Sequence, residues 1–177
     1  MLVVKTKMPL DWPLRTGISD AFVPVTTGAQ PSVVMDVLMA EAARTGAPLR
    51  RRDSNWSIEV LPAGGRFHDS SGSIDLPPPS LSGLHQWDNA GIAIDAVRAA
   101  GLGLPPAAIA RGIATAEWPA RLQRLTGRLS AMLPAGWELW LDGGHNPGGG
   151  EVLATHLDSW RDRPTHVIVG MKQAKDS

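Results

Sequence analysis

The stretch Glu138-Leu139-Trp140-Leu141-Asp142-Gly143-Gly144-His145-Asn146-Pro147 runs from a short apolar block through a glycine-rich turn to a proline suited to opening a helix. Glu138 to Leu141 reads as a buried strand. Asn146 can cap the helix and Pro147 can occupy its first turn, with Leu153, Leu157 and Trp160 along one side. The apolar run Thr165 to Val169 comes next, so the order strand, turn, helix, strand predicts a β-α-β unit with a parallel pair and a right-handed crossover. One helix covers only one face of such a pair. Residues from about 117 onward therefore read as the opening of a larger doubly wound domain.

Working back from this turn, Trp118-Pro119 interrupts a helical pattern, because the residue before proline is pushed out of the α region. That break predicts the domain boundary. Upstream of it, Pro105-Pro106 opens a helix through Ala116, and His85 to Ala100 forms another, with His85, Asn89 and Ala96 along one face and Gly101 as its stop. Gly64 to Ser82, with the run Pro77-Pro78-Pro79, reads as loop with at most one short strand near Ser73 to Leu76. Trp56 to Val60 alternates as a strand. Pro31 to Thr45 reads as a helix ended by Gly46, preceded by a short strand at Phe22 to Thr26.

Composition narrows the functional classes. At 177 residues the chain can bury an ordinary core, and its 17 basic and 17 acidic residues give no net field favouring nucleic acid or an anionic membrane. The absence of cysteine removes disulfides, thiolate nucleophiles, Cys-ligated zinc and iron–sulfur clusters together. No apolar run approaches the roughly 18 residues of a membrane span, and the first residues lack a signal-peptide pattern. The expectation is a soluble cytoplasmic protein with neither nucleic-acid nor membrane partners.

Three constellations carry candidate chemistry. The turn Asp142 to Pro147 lies where open α/β sheets bind ligands, at the carboxyl end of a strand and the amino end of a helix. There Asp142 can accept from ribose hydroxyls and His145 can donate to phosphate; a plain turn with Asn146 as cap fits the same letters. Gly148-Gly149-Gly150 each cost roughly 1 kcal/mol against alanine in a helix, so ligand approach or tight packing must offset them. Arg121, Arg124 and Arg128 form either a solvated basic face or, through Arg121, a phosphate contact at the boundary. His85 and Asn89 stand one helical turn apart, and an asparagine amide matches the edge of adenine, although a structural histidine fits as well. HExxH, GxSxG and the phosphate-gripping GxxxxGKS/T are all absent from the sequence.

Taken in order, GLHQWDNA (Gly83 to Ala90), WPARLQ (Trp118 to Gln123), LDGGHNP (Leu141 to Pro147) and VGMKQAKD (Val169 to Asp176) resemble the folylpolyglutamate synthase and dihydrofolate synthase family of ATP-dependent Mur-type ligases. The resemblance implies an α/β fold: 1–116 as the carboxy-terminal part of a truncated Mur ligase central ATP-binding domain, and 117–177 as the first β-α-β part of a Rossmann-like carboxy-terminal domain. It implies an internal piece of the enzyme, without the P-loop region and the end of the last domain, and inactive alone.

By the same resemblance Asn89, with His85 beside it, binds ATP near the adenine. Arg121 contacts the phosphates, Asp142 binds the nucleotide at its ribose, and His145 lies nearby. None of these is expected to be a catalytic group or a metal ligand. The cofactors implied are ATP and magnesium, with most magnesium ligands outside this sequence. Leu14-Arg15-Thr16-Gly17-Ile18 lies where the family has Glu-Lys-Ala-Gly-Ile, so Arg15 stands at the position of a carbamylated, magnesium-organising lysine. The family reaction, part of folate biosynthesis and one-carbon metabolism, joins glutamate to a folate or dihydropteroate carboxylate through an acyl phosphate, and an amino-terminal part supplied separately would be a partner. Two other readings stay open. One is a non-catalytic remnant or interaction module docking on a partner; the other is a Mur-type ligase of cell-wall precursors, against which His85-Gln86 and WPxRLQ weigh.

Overall fold

The structure, a computed structural model, describes residues 23–170. Leu14 to Ile18, with Arg15, and most of the Val169 to Asp176 motif lie outside the described residues. The described chain divides into two compact units. One comprises the described residues up to Pro79 with Trp87–Thr115, the other Ser80–Gln86 with the described residues from Ala116 onward.

In the first unit, β1 (Val25–Thr27), α1 (Ser32–Thr45) and β2 (Leu49–Arg51) make a parallel pair joined through a helix, with Val25 opposite Leu49. Proline before the first turn and Gly46 in the left-handed region at φ 69° set the limits of α1, as the sequence predicts. Next comes an antiparallel meander of β3 (Trp56–Leu61), β4 (Gly64–Asp69) and β5 (Gly72–Leu76). Alternation sends Trp56, Ile58, Phe67, Ile74 and Leu76 to one face. Against that face pack Trp87, Ala90 and Ile94 of α2 (His85–Ala99) and Ile109 of α3 (Pro106–Thr115). Phe67 is fully buried and stacks on Trp56 with centroids 6.1 Å apart, a contribution of about 2–3 kcal/mol from its area alone.

The loop expected over Gly64 to Ser82 is therefore corrected in its first part, where β4 forms, while the short strand expected near Ser73 to Leu76 is present as β5 and completes a β-hairpin. Gly64 and Gly65 look like loop residues but serve close approach. A Cβ at Gly64 would run into the carbonyl oxygen of Leu76, and one at Gly65 into the Trp87 ring, so both glycines let neighbours press on the strand.

A polar clasp ties α2 to the parallel pair. Asp95 of α2 is 0% exposed; its Oδ2 accepts from Thr26 Oγ1 at 2.7 Å, and its Oδ1 accepts from Arg50 Nη2 at 2.6 Å. The hydrogen bond to Asp95 raises the Arg50 guanidinium above its ordinary value.

In the second unit, β6 (Gln123–Leu125) pairs antiparallel with β7 (Leu139–Leu141), with Gln123 opposite Leu141, and α4 (Pro147–Asp158) follows. The cap is as expected: Asn146 Oδ1 accepts from the Gly149 N–H at 2.8 Å. The Thr165 to Val169 strand is not formed, so the anticipated parallel pair with β7 is corrected to the antiparallel pair with β6. A strand exists through its partner, and among the described residues none accepts a ladder from this run, whose Ile168 is 98% exposed. Among the described residues no helix is long and apolar enough to cross a membrane.

Candidate nucleotide-binding turn

Antiparallel register decides how the second unit builds its turn cluster. Continuing the β6–β7 ladder one step past Gln123 and Leu141 sets Leu122 opposite Asp142. Here the backbone leaves strand geometry: Ala120 has φ 57° and Leu122 φ 44°. Each such non-glycine residue costs roughly 1–2 kcal/mol in the left-handed region.

What offsets that cost is a set of hydrogen bonds. Asp142 Oδ2 accepts from the Leu122 N–H at 2.9 Å, and Oδ1 accepts from the Gly144 N–H at 2.7 Å. The Gly143 N–H donates to the Ala120 carbonyl at 2.8 Å. One side-chain carboxylate thus replaces a ladder bond on one strand and closes the turn on the other. Leu122 is also buried, anchoring the turn from below.

Arg121, held between the two left-handed residues, is exposed and has no ion pair among the described residues. Arg124, by contrast, pairs with Glu138 at 2.9 Å, which removes it from the basic cluster as a free cation. His145 donates through Nδ1 to the Gly143 carbonyl at 2.9 Å, because a carbonyl can only accept. Its Nε2 is thereby left as the other functional edge of an exposed ring.

His85 approaches the same turn. Its ring lies over Gly83, whose φ is 107° and where a Cβ would sit 2.6 Å from His85 Cε1 and 3.4 Å from Leu122 Cδ1. His85 Nε2 is 2.9 Å from Gln86 Nε2, and Gln86 is buried. Of the five residues expected at a nucleotide site, His85, Arg121, Asp142 and His145 belong to this unit, and Asn89, half-buried on α2, belongs to the other. Sequence reading missed Leu122, whose N–H is half of the clasp, and Gly83 beneath His85. The signal for Leu122 was the leucine after an exposed arginine in WPARL; for Gly83, a glycine two residues before a histidine.

The three glycines opening α4 divide by role. A Cβ at Gly149 would lie 3.2 Å from Gly144 Cα, a tight approach to backbone that favours glycine, whereas nothing lies within 4 Å of one at Gly150. Among the described residues no three histidine or acidic side chains gather as a metal site.

A strand-to-helix turn with a capped helix on a mixed scaffold of helices and sheets defines the class of chain: an α/β fold, in which such turns are where ligands bind. No family model matches it. Its relatives are specific. The folylpolyglutamate synthase of Lacticaseibacillus casei is 31% identical over 92% of this chain and 38% of its own length. The dihydrofolate synthase/folylpolyglutamate synthase of Escherichia coli is 30% identical over 92% of this chain and 36% of its own. Among solved structures, the S73A mutant of the L. casei enzyme superposes with TM-score 0.67 at 29% identity, over 89% of this chain and 39% of that one. An AMPPCP–folate complex of a folylpolyglutamate synthase gives TM-score 0.67 at 29% identity, over 83% and 36%. The resemblance to the folylpolyglutamate and dihydrofolate synthases thus holds in both sequence and backbone, and the chain spans about two fifths of the length of these relatives.

Proposed function

We propose that this chain carries part of the ATP site of a folate ligase, with Arg121 for the phosphates, Asp142 and His145 at the nucleotide, and Asn89 with His85 near the adenine. In this reading residues 1–116 correspond to the end of the central ATP-binding domain and 117–177 to the start of the carboxy-terminal one. The observation that carries the proposal is the Arg121 turn: an exposed guanidinium without an ion pair among the described residues, held by two left-handed residues and a carboxylate clasp. Backbone strain of this kind is retained where something fixes it, and functional sites are where it clusters. A planar guanidinium can hold two phosphate oxygens at once.

The reaction served is amide formation. The γ-phosphoryl group of ATP passes to a carboxylate oxygen of folate or dihydropteroate, leaving ADP. The glutamate nitrogen then attacks the acyl carbon, phosphate departs with the bridging oxygen, and the nitrogen loses a proton. Cationic side chains offset the repulsion between the two anions that must meet, and Arg121 is the cation here. A cysteine-free chain suits the reducing cytoplasm as the setting. Since GxxxxGKS/T is absent from its sequence, the chain alone is expected to bind nucleotide without completing ligation.

Calorimetric titration of the purified chain with AMPPCP tests the reading. Binding is expected, and Arg121→Ala should weaken it about 10- to 100-fold, the value of a charged hydrogen-bonded contact. Unchanged affinity in that variant would reject the role of Arg121.

A further inference from the structure

The antiparallel β6–β7 ladder has two ends, and the turn cluster of Arg121 and Asp142 occupies one of them. At the other, beyond the pairing of Leu125 with Leu139, the connection between the strands wraps an open cavity of about 650 Å³. That volume falls in the range of small-molecule sites. Its walls share no residue with the nucleotide turn.

The lining has an apolar part and a cationic part. Leu125 and Leu139 stand opposite each other on the ladder, and Trp137, 49% exposed, adds an indole held in place by stacking on the His166 ring with centroids 5.4 Å apart. Charge is unevenly compensated. Arg124 Nη2 lies 2.9 Å from Glu138 Oε1, and Glu138 Oε2 accepts from Trp140 Nε1 at 3.1 Å, so both oxygens of that carboxylate are engaged. Arg163 lies 4.0 Å from the same Oε2 but is nearer its own partner, Asp162, at 3.4 Å. Arg128, which also lines the cavity, is exposed and has no ion pair among the described residues. The backbone that carries it is fixed: Gly127 turns the chain at φ 84°, and its carbonyl accepts from Ser130 Oγ and the Ala131 N–H, each at 3.0 Å.

We propose that this cavity is a second ligand site, and that it takes an aromatic monocarboxylate. The ring packs against Trp137 and the two leucines, and the carboxylate meets the planar fork of Arg128, which can hold both oxygens at once. One uncompensated guanidinium matches one negative charge. A phosphate monoester, with a charge of about −1.5 to −2, would leave part of its charge unmatched against the apolar walls.

Benzoate and its neutral analogue benzamide, titrated separately into the purified chain and followed by amide chemical shifts, test the assignment without reference to AMPPCP. Benzoate is expected to shift the amides of Leu125, Arg128 and Trp137 together with the Trp137 indole N–H, and benzamide to bind about tenfold more weakly, the value of a charged hydrogen bond. Arg128→Gln removes an exposed charge and should bring benzoate down to the affinity of benzamide, whereas Trp137→Leu should weaken both compounds about fivefold. Equal affinities of the two compounds for the parent chain, or an Arg128→Gln variant that holds benzoate as the parent does, would overturn the carboxylate assignment. Shifts confined to the Asp142–His145 turn would assign benzoate to Arg121 and overturn the cavity as a site, as would no shift at all.

Discussion

Single residues in this chain do their work through partners that local sequence does not announce. Asp95 is fully buried and satisfied by Thr26 and Arg50. Removing one member of a buried ion pair leaves the other uncompensated, so Asp95→Ala should destabilise the first unit by about 3 kcal/mol in urea unfolding. A loss below about 1 kcal/mol would contradict the clasp between α2 and the parallel pair. Asn146 lies at the opposite extreme of legibility. Its cap is a local event, readable from Asn146-Pro147, and the structure shows its Oδ1 accepting from Gly149. Asp142 lies between these extremes: its place in the turn was legible, but its bond to Leu122 crosses between two strands whose pairing no local pattern revealed.

At the scale of elements, helices were easier to read than strands for a physical reason. Pro31, Gly46 and Pro147 mark helix ends through φ restriction, which acts wherever the residue stands. β4 was hidden because its glycines answer to neighbours distant in sequence: at Gly65 a Cβ would meet the Trp87 ring and lie 2.9 Å from the Glu59 carbonyl oxygen. Gly65→Ala should therefore cost about 2 kcal/mol, the usual penalty of overpacking, measured as a lower unfolding midpoint with unchanged slope. The run at 165–169 shows the converse, since an apolar pattern predicted a strand and no neighbour among the described residues pairs with it. Arg66 and Asp75 face each other across β4 and β5, and the hydrogen bond from Arg66 lowers the Asp75 carboxyl below its ordinary value of 3.8. A group depressed in the folded state stabilises above its unfolded value and loses that contribution as pH falls through the folded one. Thermal unfolding of Asp75→Asn should thus show a flatter acid limb below about pH 4 and the same slope as the parent near neutrality; a change of slope confined to neutral pH would contradict the pair.

For the whole molecule, the α/β class was legible because helical and strand periodicities alternate along the chain, and the kinship with folate ligases was legible because four short motifs recur in one order. That kinship now rests on about 30% identity across nine tenths of this chain and on superposable backbones. What local pattern does not carry is convergence, because the side chains proposed to meet a nucleotide come from segments far apart in sequence. Amide chemical-shift mapping of the purified chain during titration with AMPPCP tests that claim most directly. The account predicts that the largest shifts fall on Arg121, Leu122 and Gly143 to His145, with a second set around Asn89. Shifts confined to other surfaces, or none at saturating nucleotide, would contradict it.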